Sequence, residues 1–146
     1  MQPQQKIKVL VIDDSKVSRI ILTGIFETVD DFELVGTATD GATGLDAVRE
    51  LKPDVITLDL AMPNVDGFEF LDRLKEESQT PVIVVSSQSR AAAVMEALDR
   101  GATDFIAKIG AFHEGEPSVF FRESVLEKCR VAVGIWGNRS SFEEVG

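Results

Sequence analysis

Short apolar runs alternate with stretches of helical period from Ile7 to Ala107, and no hairpin signal joins one run to the next. That alternation constrains the fold more than any other feature. The runs are Ile7–Ile12, Phe32–Ala38, Val55–Leu58, Pro81–Val85 and Thr103–Ala107. Between the first two, Val17, Ile20, Ile21, Gly24 and Ile25 share one face at a helical period. Leu45, Val48 and Leu51 mark a second helix, capped by Asp40 and stopped at Lys52-Pro53. Phe68, Leu71 and Leu74 mark a third, and Ala91, Val94, Met95 and Leu98 a fourth that Gly101 ends. Strands joined through helices by short connections pair in parallel, with right-handed crossovers. The pattern predicts an α/β fold, a doubly wound five-stranded parallel sheet with helices on both faces.

Val55–Leu58 is nearly continuous in apolar character, as a strand buried on both faces must be. Asp59 follows it directly, and Pro63-Asn64 then turns the chain. This places Asp59 at the carboxyl end of a central strand, where open parallel sheets bind ligands. An aspartate at such a turn can also simply cap the next helix. The other strand ends favour the first reading. Ile7–Ile12 ends in Asp13-Asp14-Ser15, Pro81–Val85 in Ser86-Ser87, and Thr103–Ala107 in Lys108. A parallel sheet brings all these ends to one edge. Adjacent carboxylates repel, and a cation offsets the repulsion. A helix cap would need one such residue, not two.

Carboxylate oxygens are hard ligands that suit Mg2+ or Mn2+ rather than zinc. Beside them, Lys108 can pair with a phosphoryl oxygen and Ser86 can donate to another. A carboxylate is ionised at neutral pH and can attack phosphorus to form an acyl phosphate. Phosphoryl transfer asks chiefly for positioning and charge neutralisation, and this set supplies both.

Val9 to Ser15, Asp54 to Gly67 and Gly101 to Lys108 together resemble the receiver domain of two-component response regulators, over Lys6 to Lys108. The resemblance implies the strand order 2-1-3-4-5. It implies that Asp59 is phosphorylated by a sensor histidine kinase. Asp14 and Asp59 would bind Mg2+ (or Mn2+) directly, with the Ala61 backbone carbonyl, and Asp13 would act through water. Ser86 takes the place of the switch hydroxyl, Lys108 that of the phosphate-binding lysine, and Phe105 that of the switch aromatic. A downstream protein would read a changed surface on the last helices and strand, and a phosphorylation-linked homodimer is compatible with this scheme. Leu34 to Ala38, Thr57-Leu58-Asp59 and Val84 to Ser87 are similar to the receiver of the chemotaxis methylesterase. The Gly-x-Ser-x-Gly elbow of a following esterase domain is not in the sequence, so an isolated receiver or a fragment of a longer regulator is expected. One departure stands out. The family usually follows its lysine with proline, whereas Lys108 precedes Ile109, and a trans bond is expected there.

The 146 residues, 44% hydrophobic, suffice for one core, and the expected division is a tail over 1–5, a receiver over 6–136 and a polar tail or the start of a linker over 137–146. A net charge of -10 argues against nonspecific nucleic-acid binding. No apolar run nears the ~20 residues of a membrane span, and the polar N-terminus carries no export signal, so a cytoplasmic protein is expected. Cys129 has no partner cysteine and suits a buried helical position, while His113 suits a surface loop over Ile109 to Glu116. Phe121, Val125, Cys129 and Ala132 predict a fifth helix from Ser118 to about Val133, leaving Phe120 and Trp136 as exposed contact candidates.

Three rival readings are weaker. An aspartyl phosphatase would carry a second acid at Ala61. A flavin or nucleotide module would have a glycine-rich turn where Asp13-Asp14 stands. A degenerate scaffold receiver would not keep the acidic set.

Overall fold

The computed structural model describes residues 5–145, with side chains described as far as residue 134. Strands β1 (Ile7–Ile12), β2 (Phe32–Ala38), β3 (Val55–Leu58), β4 (Val82–Ser86) and β5 (Asp104–Ala107) form one parallel sheet in the order β2-β1-β3-β4-β5. Helices α1 (Lys16–Glu27), α2 (Gly41–Leu51), α3 (Gly67–Leu74), α4 (Ala91–Asp99) and α5 (Val119–Val145) cross over between strands or follow the last. The expected fold class and strand order are both observed.

The sheet separates two apolar layers. Val9, Val11, Val55, Ile83 and Val85 point to the side packed by Ile21, Leu22, Ile25 and Phe26 of α1 and by Phe121, Val125 and Cys129 of α5. Leu10, Ile12, Ile56, Leu58 and Val84 point the other way, onto Leu45, Phe70, Leu71 and Ala97. Alternate side chains of a strand face opposite sides, so a sheet covered on both needs the unbroken apolar runs seen here. Thr57 is the exception within β3: it is fully buried and its hydroxyl has no hydrogen-bond partner.

Two helix faces differ from the sequence pattern. In α1 the buried residues are Ser18, Ile21, Leu22, Ile25 and Phe26, while Val17 and Ile20 are 58% and 60% exposed. Both sets satisfy the helical period. The larger Leu22 and Phe26 decide the rotation, because burying them removes more apolar surface from water. In α4 only Ala97 is buried, and Met95 and Leu98 are exposed. At its end Arg100 bonds Asp72 of α3 at 2.6 Å and Glu96 at 2.8 Å and lies 5.4 Å from the Phe68 ring.

The segment after Lys108 is not an irregular loop. Phe112–His113 (β6) pairs antiparallel with Glu116–Pro117 (β7) across a turn in which Glu114 and Gly115 both have positive φ, 52° and 80°. That backbone matches the right-handed twist of a tight hairpin. His113 lies on this hairpin and is exposed. Phe112 packs edge-on against Phe121, rings 5.4 Å apart, and anchors the hairpin to α5. The Lys108–Ile109 bond is trans, as expected. Cys129 is buried, which raises its thiol pKa to about 12, and Phe120 is exposed. The helix expected to end near Val133 runs on to Val145, and the expectation for Trp136 falls outside the described side chains. Among the described residues, no helix is long and apolar enough to cross a membrane.

Candidate functional site

The carboxyl ends of β1, β3, β4 and β5 meet at one edge of the sheet. Asp13, Asp14 and Asp59 each offer an oxygen there, all within 4.8 Å of one another. Parallel register is the cause: Ile12 pairs with Leu58, so the next residues of both strands emerge side by side.

Asp13 is 1% exposed and has every polar group engaged. Its amide donates to the Ala38 carbonyl (3.0 Å), and its own carbonyl accepts from Arg19 Nη1 (2.8 Å). Oδ1 accepts from the Ser15 amide (2.9 Å) and Oδ2 from Lys108 Nζ (2.7 Å). Ser15 in turn caps α1 by accepting from the Ser18 amide. Asp14 is exposed, and among the described residues neither its amide nor its carboxylate has a hydrogen-bond partner.

Asp59 is 6% exposed, with its amide bound to the Ile12 carbonyl at 2.9 Å. Oδ2 lies 3.6 Å from Lys108 Nζ, while Oδ1 is buried without a hydrogen-bond partner. Burial pushes this carboxyl above its ordinary value, and the Asp13 charge pushes the same way. The Lys108 charge, the Ser86 hydroxyl and the Ala61 amide oppose the rise. Lys108 is 10% exposed and sits nearer Asp13 than Asp59.

Ser86 is fully buried at the end of β4; its Oγ accepts from the Gln88 amide (3.1 Å), and its carbonyl accepts the Lys108 amide (3.0 Å). Phe105 lies further down β5, opposite Val84, half-buried against the α3–α4 layer. The structure therefore gathers Asp13, Asp14, Asp59 and Lys108 at one point, sets Ser86 and the Ala61 backbone beside them, and leaves Phe105 away from the carboxylates.

Two contributors escaped the sequence reading. Arg19 is one. A cation one turn into α1 opposes the helix dipole, and that misplacement was the available signal. The other is Gly67, the first residue of α3. A Cβ there would lie 2.6 Å from the Asp59 carbonyl oxygen and 2.6 Å from Leu60 Cα. Neither backbone atom can yield without moving the residue that follows β3. Gly67→Ala is expected to destabilise the protein by about 2 kcal/mol, the usual scale of overpacking. Urea denaturation would measure it, and an unchanged midpoint would show that the turn relaxes freely.

The donor set fits a small divalent ion. All its atoms are hard oxygens, and the buried, unpartnered Oδ1 of Asp59 is otherwise an unexplained cost.

Comparison with known proteins agrees with this geometry. Residues 9–115 match the family model described as "Response regulator receiver domain". Protein-glutamate methylesterase/protein-glutamine glutaminase 3 of Geobacter sulfurreducens is 49% identical over 104 residues, which are 71% of this chain and 28% of that protein. Its Myxococcus xanthus counterpart, numbered 1, is 46% identical over 132 residues, 90% of this chain and 38% of that protein. The chain thus spans well under half the length of these relatives. Among solved structures, the response regulator domain of Thermotoga maritima CheB superposes with a TM-score of 0.76 at 41% identity, covering 89% of this chain and 98% of that one. A chain of the CheX-CheY-BeF3-Mg+2 complex from Borrelia burgdorferi gives a TM-score of 0.71 at 29% identity, covering 84% and 86%. The acid trio at the sheet edge, the strand order and these matches coincide, and the chain belongs to the response regulator receiver domain family.

Proposed function

We propose that Asp59 is a phosphoacceptor whose modification by a sensor histidine kinase switches a protein-binding surface, within a chemotaxis-type pathway. The observation that carries this reading is the buried Oδ1 of Asp59, which has no hydrogen-bond partner and sits among two further carboxylates and an ammonium. Such an oxygen is poorly solvated and free to react. In the transfer, a carboxylate oxygen of Asp59 forms the new bond to phosphorus. The bond from phosphorus to the donor imidazole nitrogen breaks, and the imidazole leaves with its electron pair.

Asp14, Asp59 and the Ala61 carbonyl would hold Mg2+ directly, and Asp13 through water. The ion supplies positive charge against the phosphoryl oxygens and favours the ionised form of Asp59. The Borrelia relative was solved with BeF3 and Mg+2, which supports the assignment for this fold. Lys108, now on Asp13, is within reach to transfer its charge to a phosphoryl oxygen on Asp59. The Ser86 hydroxyl donates to another oxygen, and Phe105 follows into the space Ser86 leaves. The β5 edge and the neighbouring helices then present a changed face to a downstream protein; Met95, Leu98 and Phe120 are already exposed on those helices.

Mass spectrometry after incubation with acetyl phosphate tests the reading. One added phosphoryl mass is expected with Mg2+, and little or none in EDTA. No gain on the wild type under either condition would overturn it.

A further inference from the structure

We infer that Arg19 is a positioning residue for the divalent cation, acting through the peptide unit between Asp13 and Asp14; this rests on the Mg2+ reading above. The guanidinium of Arg19 donates to the Asp13 carbonyl at 2.8 Å. That carbonyl and the Asp14 amide belong to one rigid plane. Holding one end of the plane therefore fixes the direction in which Asp14 leaves it. Asp14 needs such help, because its own amide and carboxylate have no partner among the described residues. The plane on its other side is tied by the Ser15 amide to Asp13 Oδ1. Asp14 is thus an untethered ligand held between two tethered peptide units, and Arg19 makes one of the tethers.

The alternative role is purely electrostatic, and it has the opposite sign. Arg19 places a positive charge beside a cation site, so removing that charge alone would tighten Mg2+ binding. Removing a group that orients a ligand weakens binding, commonly ~10–100-fold.

Mg2+ affinity of the full chain, measured by titration calorimetry, separates the two. Arg19→Met is expected to raise the Mg2+ dissociation constant about tenfold, with a thermal midpoint in EDTA close to that of the wild type. Arg19→Lys keeps a donor and the charge, and should recover most of the affinity; it also serves if Arg19→Met does not fold. In an Asp14→Asn background, Arg19→Met should have almost no further effect, because the ligand it orients is already gone. Unchanged or tighter Mg2+ binding by Arg19→Met overturns the positioning role while leaving the phosphoacceptor reading intact. A full additional tenfold loss in the Asp14→Asn background overturns it too. A wild type that does not bind Mg2+ removes both.

Discussion

Lys108→Met is expected to cost about 3 kcal/mol of stability in EDTA, and most of that gap should close when Mg2+ is added. Lys108 and Asp13 are 10% and 1% exposed, so the substitution strands a buried carboxylate without a counter-charge. Breaking a buried pair from one side usually costs ~3–5 kcal/mol. The lower end applies here, because burial and the Asp13 charge already raise the Asp59 carboxyl and loss of the Lys108 charge raises it further, which relieves part of the repulsion. In a chain of this length ~1 kcal/mol corresponds to a few degrees, so the thermal midpoint should fall by roughly 10 °C. A divalent ion restores positive charge where the ammonium was, and with Lys108 gone nothing competes with it for Asp13. The measurement is a pair of thermal melts, with EDTA and with saturating Mg2+. Equal midpoints for wild type and variant in EDTA would show that the ammonium contributes nothing to the fold.

Asp59→Asn should do the reverse: it abolishes phosphorylation by acetyl phosphate and makes the metal-free protein more stable, by about 1 kcal/mol near neutral pH. The sign follows from the direction of the shift. The folded carboxyl is raised above its ordinary value of 3.8, chiefly by burial. Stability from the protonated group is complete below the unfolded value and is lost as pH rises through the folded one. Asparagine undergoes no such loss. The advantage of the variant should therefore be small near pH 4, grow as pH rises through the folded value, and level off above it. Urea denaturation in EDTA across that range reads it out. A gap that is constant with pH, or a destabilised variant, would contradict the burial argument.

Much of this molecule was legible in its sequence, for physical reasons that can be named. Strands buried on both faces must be nearly continuous in apolar character, so Val9 to Ile12, Val55 to Leu58 and Val82 to Val85 announce themselves, Thr57 being the one polar member. Parallel order then carries Asp13, Asp59, Ser86 and Lys108 to one edge without further information. Helix rotation was harder to read. In α1 two apolar stripes satisfy the same period, and the choice between Val17-Ile20 and Leu22-Phe26 belongs to the partner surface. In α4, Met95 and Leu98 look like core, yet both are exposed and the small Ala97 makes the buried contact. The hairpin at Phe112 to Pro117 has strands of two residues each, too short for any alternation to register. Arg19 and Gly67 were missed because each acts on a backbone carbonyl, and a carbonyl has no letter in the sequence.

The ammonium that balances Asp13 lies 95 positions later in the chain. During synthesis from the N-terminus, β1 and β3 are made while their acids still lack that counter-ion. Arg19 is made early but reaches only the Asp13 carbonyl; the ammonium that pairs with the carboxylates of Asp13 and Asp59 arrives only when Lys108 has left the ribosome and β5 has docked. A nascent chain shorter than that leaves both carboxylates without their ammonium partner. Completion of the last strand is therefore also the moment at which the site acquires its resting charge.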